Sequence, residues 1–492
     1  MSNNDTTLKQ YDDLLKDDAD VAAIVIRERL RPVQGARGVF FPPTFAATRK
    51  GEKSDYQIDR FGPRADDPEG AQKDGVIASR CTVDSVPSQA NRLEARLLKY
   101  SGTSIPKVTI TGSRVGRGSI DLLEVGHRVG DAVVRYSKVT VTNNGKEEEV
   151  DGFKPFEEAL QAYVKGNAAP LAKLAPTSLV FGHWDSRDSA TKKSTKSKAR
   201  RLIRSEIVAF NVQKFTKRSQ YWSSIDPEVN QELEQVLAQA KELAREKPDA
   251  KNKASQLGLL DVPAPESPGG VVAFGPIERT AIIALSGVRA LATFQAETNA
   301  SVTEIDAEGT LALRRYLFAL ALASAADPGV WDLREGCILV RESKKDGEKT
   351  VADPTAFTAV KVKHSGEEEN FPMPTKTEPS QFLALAAAAF FGKNEADGVG
   401  AKLPKPLVLA FHPVGAGDEV KKPDSPDEAA KQAEKQRKAE EKEAEKKRKE
   451  EEKQVITDLV DKVKAAGAPE SKTELKKLSK EDLQQRLVKR ET

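Results

Sequence analysis

Cysteine and histidine are scarce, with two of the first and four of the second among 492 residues. Cys81 and Cys337 stand far apart and neither belongs to a C-x-x-C pair, which excludes a cysteine-built zinc site and a disulfide framework. A reducing cytoplasm is the expected setting. His127, His183, His364 and His412 are scattered, with no H-x-x-x-H pair, and no G-x-S-x-G elbow is present. No metal or organic cofactor is expected. Neither sign of charge dominates, because 78 Lys and Arg face 75 Asp and Glu for a net +3, so any site for a polyanion must be local. Long apolar runs are missing as well. Tyr316–Ala326 and Phe382–Phe391 fall well short of the roughly 18 residues that cross a bilayer. Six aspartates in the first twenty residues are the reverse of a secretory signal. With 38% hydrophobic, 6% aromatic and 31% charged residues, one globular body with solvated segments is expected.

Several organised segments stand out. Residues 21–34 begin β-branched and then alternate charged with apolar or small residues, as a half-exposed strand does. Residues 35–80 mix Gly, Pro and charge with isolated aromatics and read as an irregular insertion. Ser85 and Pro87 open a helix carrying Leu93, Leu97 and Leu98 at helical spacing. Strands are expected at Lys107–Thr111, Ala132–Val141, Ser178–Trp184 and Ser205–Val212, the last two as arms of one long hairpin. Helices are expected at Phe153–Tyr163, Pro227–Glu246, Gly275–Ala292 and Leu311–Ala325. The irregular alternation indicates an α+β body. Asp427–Lys453, with ten acidic and ten basic residues, is either a lone charged helix or disordered. The chain thus divides into an arm (1–20), a body (21–420), a charged helix or linker (421–454) and a small helical appendage (455–492).

The strongest chemical signal is Arg187–Arg204. It holds Arg187, Lys192, Lys193, Lys196, Lys198, Arg200, Arg201 and Arg204 against a single acid, Asp188. Such a stretch offers sequence-independent affinity for a nucleic-acid backbone; the plainer alternative is a solvated basic loop. Ser88, Gln89, Asn91 and Arg92 gather at a helix start, where unpaired N–H groups favour anions, although ordinary capping by Ser85 or Ser88 with an exposed face is the plainer explanation. Arg114 and Arg117, between glycines in Thr111–Ile120, can bring the backbone close to phosphates or simply mark a mobile turn; the spacing fits no nucleotide-binding loop. His183, beside Trp184 and the basic stretch, is the one candidate general base, though such a residue more often packs at a strand end.

These pieces together resemble a known family: the Cas-seven backbone subunits of type I-G (formerly I-U) CRISPR effector complexes, of the RAMP superfamily. The resemblance rests on Phe41-Pro-Pro-Thr-Phe-Ala, Asp84-Ser-Val-Pro-Ser-Gln-Ala-Asn-Arg-Leu-Glu and Thr177-Ser-Leu-Val-Phe-Gly-His-Trp-Asp-Ser. It continues through the basic run into Arg204-Ser-Glu-Ile-Val-Ala, Gln256-Leu-Gly-Leu and Gly269-Gly-Val-Val-Ala-Phe-Gly-Pro-Ile-Glu-Arg. It implies an RRM-like (ferredoxin-like) palm with long insertions. Many copies would stack along one CRISPR RNA beside the other subunits of the complex and present the spacer to a target DNA strand. It further implies that Ser88, Gln89 and Arg92 lie against the guide backbone and that a hairpin at 178–212 acts as a thumb. The region from Asp424 onward departs from the family pattern. A non-catalytic RNA-binding scaffold is therefore expected, the alternatives being a ribonuclease using His183 and an adaptor using the charged tail.

Overall fold

The computed structural model describes residues 3–46, 54–60, 79–112, 115, 118–143, 146–184, 197–217, 220–221, 262–263, 267–295, 304–326, 331–374, 377–394, 400–411, 463 and 482. The chain forms two compact units, Met1–His412 and Pro413–Thr492. The elements named below belong to the first. The expected helix at Pro227–Glu246, the charged segment 421–454 and the appendage 455–492 lie outside the described residues, apart from Val463 and Asp482.

Alternation sets the first strand. In β1 (Val21–Pro32), Ile24, Ile26, Glu28 and Leu30 are buried, while Arg27, Arg29 and Arg31 fall on the opposite face. Along the chain follow β2 (Ser79–Asp84), α1 (Val86–Ala95), β3 (His183–Trp184), β4 (Lys198–Ala199), β5 (Ile203–Phe210) and β6 (Val212–Lys217). Then come β7 (Ser267–Ala273), β8 (Ile277–Ala284), α2 (Ala307–Ala325), β9 (Cys337–Arg341) and β10 (Phe357–Lys363). Strands β10, β1, β8 and β5 lie side by side in that order, each antiparallel to the next. Taken as β1, α1, β5, β8, α2 and β10, the order is the β-α-β-β-α-β of a ferredoxin-like unit, so the α+β expectation holds. Strand β2 extends the sheet past β5, and β9 pairs with the end of β1.

Helix α1 packs on β5, and α2 on β8 and α1. Leu313, Tyr316, Leu317, Phe318, Leu320 and Leu322 bury nearly the whole circumference of α2, as its mostly apolar sequence requires. Each such side chain contributes about 1.5–3 kcal/mol of transfer free energy. Asp306 caps the helix by accepting from the Gly309 N–H at 2.9 Å. The arm before β1 docks on the same helix. Leu15 is fully buried, Tyr11 meets the Phe318 and Phe382 rings edge-on, and Asp12 pairs with Arg315.

Three sequence expectations are corrected. Gly275–Ala292 is not one helix but β8 followed by a short helix, Leu285–Arg289, because Ile277, Arg279, Ala281 and Ile283 alternate inward with period two. Ala132–Arg135 is helical, capped by Asp131, and the strand begins only at Ser137. The long hairpin from Ser178 to Val212 does not form. Thr177–Val180 is a helical turn, only His183–Trp184 pairs with Lys198–Ala199, and β5 is a central strand between β2 and β8. A short apolar run such as Ser178–Phe181 carries no period that separates helix from strand. By contrast, β1, the helices at Lys154–Val164 and Ala307–Ala325, and the strand Val108–Thr111 form where expected.

Two features went unforeseen. Strands β5 and β8 run on into a two-stranded ribbon, β6 with β7, through a kink at Asn211, whose φ is +48°. A Cβ on Gly269 would stand 2.7 Å from the Thr216 carbonyl carbon, so the two ribbon backbones meet there only because position 269 is glycine. A second sheet brings Leu407–Phe411 between Val108–Thr111 and Ser137–Asn143, in parallel with the former. The insertion at 35–80 contributes short pairs, Thr44–Phe45 with Asp55–Tyr56 and Ile58–Arg60 with β2, among its described residues.

One buried ion pair is written into the central register. Glu28 of β1 stands directly opposite Arg279 of β8, both on the helix-covered face, and Arg279 donates to the Glu28 carboxylate at 2.6 Å. Burial depresses the basicity of Arg279, and Glu28 opposes that effect. Glu28→Ala removes the counter-charge and is expected to cost about 3–5 kcal/mol. Urea unfolding checks this, with Glu28→Gln, which keeps an acceptor, losing less.

Candidate nucleic-acid interface

The pair Glu28–Arg279 begins a chain of polar contacts that reaches α1. Ser205 of β5 accepts from Arg279 Nε at 3.1 Å and donates to Gln89 Oε1 at 2.9 Å, and Gln89 Nε2 donates to Asp84 at 2.6 Å. Arg92 Nε donates to the same Asp84 oxygen at 3.0 Å, and its Nη2 reaches the Leu333 carbonyl at 2.5 Å. On the far side, Arg341 donates to Glu28 at 2.6 Å. Arg96 and Arg279 both lie over the Trp331 ring, 4.3 and 4.7 Å from its centroid.

This network gives the helix-start residues a different place from the one expected. Gln89 is wholly buried with both ends of its amide engaged, so it joins α1 to the sheet and leaves no face for a guide backbone. Arg92 is half-buried and bonded to Asp84 and Leu333, and Ser88 is half-buried. Ser85 occupies the cap position of α1 without a side-chain capping bond.

The other flank of α1 holds the basic segment. Arg128, a non-glycine residue at φ +54°, is almost entirely buried. Its Nε lies 2.7 Å from Glu94, Nη2 donates to Asn91 Oδ1 at 3.3 Å, and Nη1 donates to the Gly182 carbonyl at 3.3 Å. The guanidinium also sits 5.3 Å from the centre of Phe181. Gly182 adopts φ +77°, and a Cβ there would come within 2.9 Å of the Ala199 carbonyl and of Arg201 Cγ. Only glycine lets β3 and β4 close together at that point.

Beyond Gly182 the alternation of β3 and β4 sorts the side chains. His183 and Ala199 are buried opposite each other, while Trp184 and Lys198 are exposed opposite each other. His183 Nε2 lies 2.9 Å from Ser197 Oγ, and its ring meets Tyr163 edge-on. That geometry suits a packed strand-end histidine; a general base must reach its substrate. Lys198, Arg200, Arg201 and Arg204 are all exposed, and no acidic residue occurs from 197 to 204. Partial burial and the neighbouring Arg204 both push the Arg201 guanidinium below its ordinary basicity. Crowded like charges of this kind are relieved by an anion.

The open face of the central sheet behaves otherwise. Arg27 pairs with Glu368 at 2.8 Å, Lys361 with Glu369 at 2.8 Å and Arg80 with Glu206 at 2.9 Å. Those three cations are matched in place, and Arg204 likewise lies 3.4 Å from Glu206, whereas no acidic residue occurs among residues 198–201. Arg187, Lys192, Lys193 and Lys196 lie outside the described residues, as do Arg114 and Arg117. Val108–Thr111 and Ser119–Asp121, which flank the latter two, pair as antiparallel neighbours. Among the described residues, no group of three or more His, Cys, Asp or Glu is arranged to hold a metal ion, and no helix is long and apolar enough to cross a membrane.

Sequence reasoning missed Arg128 and Glu94. Nothing in a lone arginine announces a left-handed backbone or a partner 34 residues away, and Glu94 reads as an ordinary surface residue of a helix.

Residues 24–214, which include most of β1, all of β2 through β5 and the segment carrying Arg128, match the model of a family described as CRISPR-associated protein GSU0053 (Cas_GSU0053). The match indicates a CRISPR-associated protein family, as the resemblance in Asp84–Glu94 and Thr177–Ser186 implied. No curated protein matches the chain.

Burial pushes the Glu94 carboxyl up to about 7, with Arg128 pulling it back down. A carboxyl raised in this way contributes stability below its unfolded value that is lost as pH rises through 7. Arg128→Ala removes the opposing charge, so its cost is expected to reach about 3–5 kcal/mol near pH 8. The cost should shrink near pH 5, where Glu94 is neutral with or without its partner. Urea midpoints of wild type and variant at the two pH values check this, and an equal deficit at both would contradict it.

Proposed function

We propose that this protein is a non-catalytic, CRISPR RNA-binding backbone subunit of a type I-G effector complex in the cytoplasm. Copies of it line up on one guide, beside other subunits, and leave the spacer free to pair with a target DNA strand. The observation that carries the reading is the exposed cluster Lys198, Arg200 and Arg201, in a stretch with no acidic residue and bordered by Arg204, whose partner is Glu206 at 3.4 Å; Gly182 and Arg128 anchor it to the palm within the CRISPR-associated match. Cations that hold sugar–phosphate without reading base edges leave those edges to Watson–Crick pairing. Every copy can then grip the guide in the same way whatever its sequence. Arg187, Lys192, Lys193 and Lys196 would add to the same grip. The ribonuclease alternative depends on His183, and the burial of that ring against Ser197 and Tyr163 favours the scaffold.

Reversal of Lys198, Arg200 and Arg201 to Glu is expected to abolish assembly on guide RNA at moderate salt. Neutralising the same three with Gln should lower the slope of log affinity against log salt by about 2, given roughly 0.7 of a counterion per single-strand phosphate contact. Gel-shift titrations across a salt series measure both. Complexes that form unchanged with the reversed variant would end the proposal, and guide cleavage lost in His183→Ala would replace it with the enzyme.

A further inference from the structure

Trp184 is the most exposed of the large hydrophobic side chains among the described residues, at 71%, whereas Trp331 is 3% exposed. Its backbone is not free to bury it. His183 is held inward beside Ser197, the Gly182 carbonyl is bonded by Arg128, and the ladder to β4 sets Trp184 on the outer face directly opposite Lys198. Arg200 and Arg201 follow within three residues of Lys198, both exposed. An indole held out in water forfeits the burial that tryptophan ordinarily gains, so this fold keeps a flat apolar surface unfilled beside a group of cations.

We propose that Trp184 is a base-stacking platform: its indole takes the face of one unpaired nucleobase of a single-stranded nucleic acid, while Lys198, Arg200 and Arg201 hold the flanking phosphates. The inference deepens the RNA-binding reading above and rests on it. Every base has a π-face, so stacking tolerates any sequence. Residues 197–204 contain no Asn, Gln, Asp or Glu, the side chains that read adenine and cytosine edges. A hydrophobic protein partner would leave these cations without counter-charge, whereas a nucleic acid supplies the flat apolar surface and the charge together.

The test uses the full chain carrying Trp222→Phe, which leaves Trp184 and the buried Trp331 as its only indoles. A short single-stranded RNA oligomer is expected to quench the emission. Trp184→Ala should bind that oligomer roughly tenfold more weakly, with an unchanged salt slope, and Trp184→Phe should keep most of the affinity. An abasic oligomer of equal length should bind wild type and Trp184→Ala alike. Equal affinity of Trp184→Ala and wild type for the ordinary RNA, or saturation without quenching, overturns the stacking role while leaving the RNA-binding reading intact. Altered self-association with unaltered RNA affinity overturns it too and assigns Trp184 to a protein contact. Failure of wild type to bind any RNA removes both.

Discussion

A carboxylate withdrawn from water must meet a counter-charge, and helix α1 is placed by two such meetings. On one flank, Gln89 and Arg92 join Asp84 in the network that runs through Ser205 to Arg279 and Glu28. On the other, Asn91 and Glu94 hold Arg128. Residues three apart on a helix share a face, so the two flanks follow from the spacing of 89 with 92 and of 91 with 94. The sheet and the turn at Gly182 are thereby fixed to one rigid rod. Buried pairs of this kind add little net stability over apolar packing, but removing either partner is costly, which makes the arrangement hard to vary one residue at a time.

The same logic separates the two basic surfaces. Across the open sheet face, each of Arg27, Arg80 and Lys361 has an acid within salt-bridge distance, and the surface is electrostatically satisfied by its own residues. Residues 198–201 instead combine exposed cations with an exposed indole on a short ladder whose inner side is packed. A ferredoxin-like sheet thus pairs the cations Arg27, Arg80 and Lys361 on its own face, while exposed cations in a stretch without acidic residues lie in a segment between α1 and β5.

Much of the palm could be read from period alone. The alternation in Val21–Pro32 and the apolar circumference of Leu311–Ala325 are physical signatures that tertiary context did not override. Reading failed where a run was short or apolar on every side, as in Thr177–Val180, and where period two was overlooked beneath an aliphatic cluster, as in Ile277–Ala284. At the site, exposed cations were legible as a charge run. The inward turn of Gln89 and Arg92 was not, because a polar side chain at a helix start looks the same in sequence whether it faces water or a buried serine. The parallel pairing of Leu407–Phe411 with Val108–Thr111 joins segments almost 300 residues apart and has no local signature.

The ribbon that continues β5 and β8 has a bearing on how such a chain tolerates change. Its register with the palm is settled at the base, where Phe274 and Gly275 donate to the Asn211 and Phe210 carbonyls and Asn211 itself donates to Ser79. Any lengthening or trimming of sequence between β6 and β7 is therefore felt only outward of that clamp. A change in the number of residues between β6 and β7 leaves the hydrogen bonds of the clamp, and the scaffold beneath it, in place.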